Sequence, residues 1–335
     1  MPTIQDVLAR VTAWLDRAAF QPTTLPDDLV KGIALAPCVV AGLIIFKLPA
    51  LEMLAAALAI GGVAQVAVKW LWPKDASRSS ASPFLAALVG VALVGVGAPL
   101  AISIEIAVGA VAAELLRARF LPSIRVQAGL LAYAAVALLT RGAQAAYINP
   151  TDGRPFGDPI AIWYRFFSPG SAPVDPIRLY VGNVPGPVFA TSLLAVAVGV
   201  AWLAYSRRVS MVVLVAFLIG ALIPPYLGHW DYLFHLDSGP TWFVAALVLS
   251  DRKMLPDSWA VRPVLGLVAG FLTLSLRRSG HGIEAAFIVV AAIQTVVALM
   301  AIVLMAVNAA LERLRRARRL RQREANLRVV KSVPH

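Results

Sequence analysis

Residues 284–307 read EAAFIVVAAIQTVVALMAIVLMAV, and this stretch decides the class of protein. Its single charged residue, Glu284, stands at the first position. A bilayer core about 30 Å thick is crossed by about 20 apolar residues in a helix. The stretch therefore predicts a transmembrane helix.

Similar apolar runs fill most of the chain. Of the 335 residues, 59% are hydrophobic and 14% are charged, and the mean hydropathy is +0.77. A soluble domain carries about a quarter charged residues, so the composition indicates a membrane protein. Together with 284–307, the runs predict an all-α polytopic membrane protein with about ten transmembrane helices. The other runs lie near 32–46, 50–72, 83–98, 99–116, 127–140, 186–205, 209–225, 233–250 and 263–277.

The net charge of +12 follows the membrane topology. Basic residues fall in short loops between apolar runs and do not interleave with aromatic residues along a soluble face, which argues against nucleic acid as a partner. With the N-terminus inside, the large majority of the 30 lysines and arginines fall on the inner side. The charges predict a bacterial inner-membrane protein with both termini in the cytoplasm.

The order of the runs predicts a symmetric organisation. Residues 1–31 fit an amphipathic helix and linker, and residues 309–335 form a basic tail that either binds anionic lipid or docks onto a partner subunit. Between them, a five-helix half (32–140), a long outer loop (141–185) and a second five-helix half (186–308) follow one another. An odd number of helices in each half inverts the second half, so we expect two inverted five-helix repeats.

Few side chains in the predicted spans carry chemistry. Glu52 and Glu105 are ionisable residues inside spans, where such residues are costly and are candidates for a function such as ion passage. The lone Cys38 excludes disulfides and cysteine-ligated metals within the chain, and the four histidines lack the spacing of haem or metal ligands. We predict no catalytic residue and no metal site. The aromatic residues of the outer loop fit either an interfacial belt or a cover over a cofactor.

Four segments of the second half carry a family resemblance. LYVGNVPGP (179–187) resembles the loop-to-helix entry of the RnfD/NqrB family, and FHLDSG (234–239) resembles that family's H-L-L-S-G-G. AALVLSDRKMLP (245–256) resembles A-F-F-M-A-T-D-P-V-T-S-P, and RRSGHGIE (277–284) resembles R-x-x-G-G-Y-P-E. The segments stand in the family's order across the second half of the chain.

The resemblance implies a membrane subunit of a flavin-dependent electron-transfer complex of the Rnf/Nqr type, associated with other membrane subunits and coupled to ion translocation. It implies flavin, either FMN or riboflavin, as the cofactor, since flavin supplies the redox chemistry while the protein places and shields it. The residues of this chain that it assigns to flavin binding lie around the second and fourth motifs. They are Asp237, Ser238, Gly239, Thr241, Arg277, Arg278 and Glu284.

One motif departs from the family pattern. In the family, FMN is joined to a threonine in S-G-A-T-P, whereas residues 168–173 of this chain read SPGSAP and place Ala172 at the acceptor position. Alanine has no hydroxyl, which argues against covalent FMN. Ser171, one residue away, is the remaining candidate. A transporter with inverted repeats and a cofactor-free scaffold subunit are the alternative functions.

Overall fold

The part of the chain that the structure describes is predominantly helical. The computed structural model describes residues 25–72, 81–166, 175–256 and 258–331, together with Asp6 and Arg10. A two-stranded sheet, β1 (Tyr147–Ile148) with β2 (Pro155–Phe156), pairs Tyr147 with Phe156. The helices are α1 (Asp27–Leu71), α2 (Pro83–Ala92), α3 (Leu100–Phe120), α4 (Ala128–Leu139), α5 (Pro159–Phe166), α6 (Pro176–Val181), α7 (Leu193–Tyr205), α8 (Met211–Gly228), α9 (Tyr232–Leu236), α10 (Gly239–Trp242, continued as a π-helix over Phe243–Leu249), α11 (Val261–Leu276, continued over Arg277–His281) and α12 (Glu284–Lys331).

Helix α1 is a hairpin of two arms. Lys47 interrupts it with φ 54° and ψ −124°, values that no α-helix contains. Both ends of α1 then lie at the start of α2, because Ser82 Oγ donates to Asp28 Oδ1 (2.5 Å) while Ala81 packs against Val68. The two arms correspond to the predicted spans 32–46 and 50–72.

Two short helices run through the middle of the helical bundle. All of α2 except Phe84 is buried, and so is most of α10. Non-helical chain made of turns follows each, with one isolated β-bridge in each stretch: Gly95 pairs with Pro187, and Asp251 pairs with Val209. This pairing gives partners to backbone groups that lipid cannot satisfy.

The short helices explain why two predicted spans end elsewhere than expected. The predicted span 83–98 is helical to Ala92 and then continues as turns and bends. The predicted span 233–250 divides between Leu236 and Gly239 into α9 and α10. A hydropathy run indicates burial in an apolar setting, and it does not distinguish a helix from a buried non-helical segment.

Three helical stretches of the described residues are long and apolar enough to cross a membrane: Asp27–Leu71, Met211–Gly228 and Glu284–Arg313. The described residues also form four shorter apolar helical stretches: α2, α4, α7, and α10 with its continuation to Leu249.

The chain divides into two units, Met1–Gln294 and Thr295–His335. The first holds both cavities described below. In the second, α12 continues as one helix to Lys331, and its Val296, Leu299 and Val303 are more than half exposed.

The first unit has two ends that matter for function. We call the end that carries Asp27, Leu71 and the α7–α8 connection (206–210) the Asp27 end. The opposite end, where α10 begins and α11 finishes, is the His235 end.

Candidate functional site

The structure brings four of the predicted flavin-binding residues together at the His235 end. Arg277 is fully buried at the end of α11, and its Nη1 donates to the carbonyl oxygen of His235 (2.7 Å). Its Nη2 donates to Thr241 Oγ1, which in turn donates to Ser238 Oγ (3.2 Å). Gly239 lies so close to Thr191 that a Cβ on it would collide with the Thr191 carbonyl oxygen.

The other predicted residues lie elsewhere. Asp237 is half-buried beside Ser238, whereas Arg278 is exposed. Glu284 belongs to a separate group, in which its Oε1 accepts from Tyr133 Oη (2.9 Å) and Gln144 Nε2 (2.6 Å). Ser171 lies outside the described residues.

Sequence reasoning missed the aromatic cluster around His235. Four aromatic rings surround the buried imidazole. Measured between ring centroids, the distances are 4.7 Å for Trp163, 5.4 Å for Tyr164, 5.3 Å for Trp230 and 5.3 Å for Phe234. Within the described part of the chain, neither His235 nitrogen has a hydrogen-bond partner. The outer loop is visibly rich in aromatic residues, but its sequence does not tell which side chain they surround.

Asp158 was also missed, and it joins two elements. Its Oδ1 accepts from the backbone of Ile160 (2.8 Å) and Ala161 (3.2 Å) at the start of α5. Its Oδ2 accepts from Ile283 N (2.6 Å) just before α12. Burial raises the pKa of the Asp158 carboxyl, although the three N–H donors and the Arg277 guanidinium act in the opposite direction.

The described residues of the His235 end enclose a small cavity. A cavity of about 20 Å³ lies among Phe234, Ser238, Gly239 and Ile283. That volume is about enough for a single water molecule. The cluster of Ser238, Thr241 and Arg277 is therefore closely packed.

A much larger cavity, of about 550 Å³, opens at the Asp27 end. Its apolar floor consists of Ala34, Leu35, Leu85, Val89, Leu203 and Leu247. Its polar rim consists of Asp27, Lys31, Ser82, Glu114, Arg117, Arg125, Gln127, Asp251, Arg252 and Lys253, with Pro122, Ile124 and Met254 between them. Basic side chains outnumber acidic ones, so the rim favours a ligand with negative charge.

One wall of this cavity is an ion-pair cluster, which we define as Asp27, Lys31, Arg208, Asp251 and Lys253. Lys31 Nζ lies 3.0 Å from Asp27 Oδ2 and 2.5 Å from Asp251 Oδ2. Asp27 also pairs with Arg208 (3.2 Å) and Lys253 (3.0 Å). The cluster connects α1 to the parts of the second half of the chain that lie at the Asp27 end.

The opposite wall is held by a second set of contacts. Glu114 accepts from Arg117 Nη2 (2.7 Å) and from the backbone N–H of Ser82 (2.9 Å). Arg125 Nη1 donates to the Leu255 carbonyl oxygen (2.8 Å), and Gln127 N donates to Gln294 Oε1 (2.9 Å). These bonds fix the starts of α2 and α4 at the rim, where helix N-termini add positive potential.

The comparison with known families decides the relationship. The NQR2, RnfD, RnfE family matches residues 29–305, which is most of the chain. This chain belongs to the NQR2, RnfD, RnfE family. The resemblance inferred from the motifs is confirmed, and the chain is a multi-pass membrane protein of a family whose members are membrane subunits of Rnf and Nqr complexes. No curated protein matches it.

The two ends of this family member differ in their fit to flavin. Binding sites for molecules of that size have volumes of about 300–1,000 Å³, with apolar walls and a few polar groups. The cavity of about 550 Å³ at the Asp27 end meets this description. The cavity of about 20 Å³ among the described residues of the His235 end is smaller than this range, and the site predicted around Ser238, Thr241 and Arg277 stays a prediction. Among the residues that the structure describes, no three His, Cys, Asp or Glu side chains group as metal ligands would.

Proposed function

We propose that this chain is the membrane subunit of an electron-transfer complex of the Rnf/Nqr type. We further propose that it holds one flavin, FMN or riboflavin, without a covalent bond in the cavity at the Asp27 end. The observation that carries the proposal is the pairing of an apolar floor with a basic rim around about 550 Å³. Alanine at position 172 supports attachment without a covalent bond.

The residues at this cavity have distinct parts in the proposal. Leu35, Leu85 and Val89 would contact the ring system, and Lys31 and Gln127 would face its polar edge. Flavin, when bound, supplies the one- and two-electron chemistry, and the protein tunes it through nearby charge. Because the rim is net basic, it stabilises the oxidation state that carries more negative charge.

The proposed topology is ten transmembrane helices in two inverted halves. In the first half, α2 begins beside the start of α1, as the bond between Ser82 and Asp28 requires. In the second half, α10 begins beside the start of α7, where Gly239 approaches Thr191. The two starts lie at opposite ends of the bundle, which supports an inverted relationship.

We propose that the Asp27 end faces the cytoplasm of a bacterial cell, with the protein in the inner membrane and both termini inside. Arg117, Arg125, Arg208 and Arg252 all lie at this end, as the excess of basic residues on the cytoplasmic side requires. The basic tail (309–335) would then lie against the anionic lipids of the inner leaflet, each basic residue adding about 1 kcal/mol to binding.

Ion translocation, which the resemblance implies, is proposed for the complex as a whole rather than for a path inside this chain. Glu52 and Glu105 are exposed and belong to the lining of neither cavity described above. Other membrane subunits of the complex are the proposed partners.

The experiment that tests the flavin site fills the cavity. We expect Leu85→Trp to place an indole on the cavity floor and to lower the flavin content of the mildly solubilised protein by about tenfold or more. Leu58→Trp is the matched control, because Leu58 is 42% exposed on α1 and lies away from the cavity. Flavin content is measured by absorbance and fluorescence after denaturation, and monodispersity on size exclusion verifies folding.

Two outcomes would contradict the proposal. If Leu85→Trp retains flavin at the wild-type level, the flavin lies elsewhere in the chain. If the wild-type protein is folded and colourless both alone and with its co-purified partners, the scaffold function replaces the redox function. Solute flux in liposomes without any redox partner would instead favour the transporter.

A further inference from the structure

Two carboxylates lie on exposed faces of helices that the proposed topology places in the membrane, both in the first half of the chain. Glu52 is on the second arm of α1, where Leu48, Leu51 and Leu58 are 63%, 51% and 42% exposed. Glu105 is on α3, where Leu100, Ile104 and Val108 are 39%, 40% and 51% exposed. We call these two helix faces the acidic strips.

Both carboxylates lie nearer the end of the first half that is opposite the Asp27 end. Glu52 follows the break at Lys47 by five positions, and Glu105 follows the start of α3 at Leu100 by five positions. With a rise of 1.5 Å per residue, each lies about 7.5 Å along its helix from the end opposite the Asp27 end. Helices α1 and α3 contact each other.

Neither carboxylate has a partner among the residues that the structure describes. No hydrogen bond or ion pair of these residues involves Glu52 or Glu105. Hydrocarbon offers neither water nor donors, so ionisable side chains in membrane segments almost always face protein or an aqueous cavity. A face that presents a carboxylate to lipid is therefore incomplete.

The second half shows that such residues are not needed for the fold. Helix α8 presents Val215 and Ile219, 39% and 51% exposed, and its sequence contains no charged residue. Helix α7 contains none either. Among these four helices, exposed carboxylates in the apolar part therefore lie only on α1 and α3, within the residues that the structure describes.

We propose that the acidic strips dock a transmembrane segment of a different membrane subunit, one that presents basic or hydroxyl side chains at the depth of Glu52 and Glu105. Charge complementarity identifies this partner, since Lys, Arg, Ser and Thr supply the donors that the carboxylates lack. A second copy of this chain, docked through the same face, would set carboxylate against carboxylate. The inference does not depend on the flavin.

Photo-cross-linking in native membranes tests the interface. A benzophenone amino acid replaces Leu51 or Ile104 in the full chain, expressed at its natural level, and leaves both glutamates in place. We expect ultraviolet light to give an adduct of one defined added mass at each position. In the Glu52→Gln/Glu105→Gln background, we expect the adduct yield to fall by about fivefold or more.

A probe at Ile219 on α8 is the control, because its surroundings lack the acidic strips; its adduct pattern is expected to be the same in both backgrounds. Peptide mapping of the Leu51 and Ile104 adducts is expected to find a transmembrane segment with Lys, Arg, Ser or Thr within one turn of the captured site. The proposal is overturned by an absence of adducts, by a yield that the glutamine substitutions leave unchanged, by an adduct of two copies of this chain, or by capture of a wholly apolar segment.

Discussion

Replacing Lys31 with methionine removes the central cation of the ion-pair cluster. Lys31, Asp27 and Asp251 have side-chain exposures of 17%, 10% and 8%, so solvent screens their interaction poorly. Asp27 keeps Arg208 and Lys253, whereas Asp251 keeps the backbone N–H of Lys253 (3.0 Å) near its carboxylate. Removing one partner of a buried pair costs about 3–5 kcal/mol, and the retained contacts place the expected loss near the lower limit, about 3 kcal/mol.

A double-mutant cycle isolates the Lys31–Asp251 interaction. The free energy of unfolding is measured by reversible SDS titration in mixed micelles for wild type, Lys31→Met, Asp251→Asn and the double variant. Because the double variant buries no unpaired charge, we expect it to be more stable than the sum of the single losses predicts, by about 2 kcal/mol. Lys47→Met, an exposed site at the break in α1, is the control and should change stability by less than about 0.5 kcal/mol.

Additive losses in that cycle would refute the reasoning, because they would mean that Lys31 and Asp251 do not interact in the folded protein. A Lys31→Met protein as stable as wild type would refute it as well.

Three further substitutions test the His235 end by thermal melting in detergent. Asp158→Asn should lower the free energy of unfolding by about 2 kcal/mol, because the amide either places its N–H₂ group against Ile283 N–H or no longer accepts from Ile160 N at the start of α5. An unchanged melting temperature would contradict this role. Gly239→Ala should destabilise the protein strongly, because the new Cβ would collide with the Thr191 backbone. Gly62→Ala is the control; its Cβ would have no neighbour within 4 Å, so it should be neutral or stabilising by up to about 1 kcal/mol. Equal effects of the two substitutions would show that Gly239 does not approach Thr191 closely. Arg277→Lys should lower the free energy of unfolding by about 2 kcal/mol, because an ammonium group does not reproduce the planar guanidinium that donates to both the His235 carbonyl oxygen and Thr241 Oγ1. Full stability of this variant would show that one of the two contacts is enough.

The sequence was informative where local chemistry decides the structure. The break in α1 falls between two predicted spans at Lys47, two positions before Pro49, whose missing N–H weakens a helix. The grouping of Ser238, Thr241 and Arg277 was predicted through the motif resemblance, and the structure places these side chains in contact.

Other features depend on contacts between distant parts of the chain. Lys31 and Asp251 are separated by 220 positions, and nothing in either local sequence indicates the pair. The cavity that they border was therefore not predicted, and the prediction of flavin around Ser238, Thr241 and Arg277 stays a prediction beside the proposal for this cavity. Hydropathy places Glu52 and Glu105 in predicted spans, but it does not show whether their side chains face lipid or protein. In a helix that is apolar on all sides, no periodicity distinguishes the lipid-facing side from the side that packs in the core.

Flavin analysis of the purified protein tests the central claim most directly, with the absorbance spectrum and the intact mass recorded on wild type and Leu85→Trp in parallel. The account predicts flavin that is released on denaturation, a polypeptide of unmodified mass, and loss of the flavin in Leu85→Trp. A polypeptide carrying the added mass of FMN, or flavin retained in full by Leu85→Trp, would contradict it.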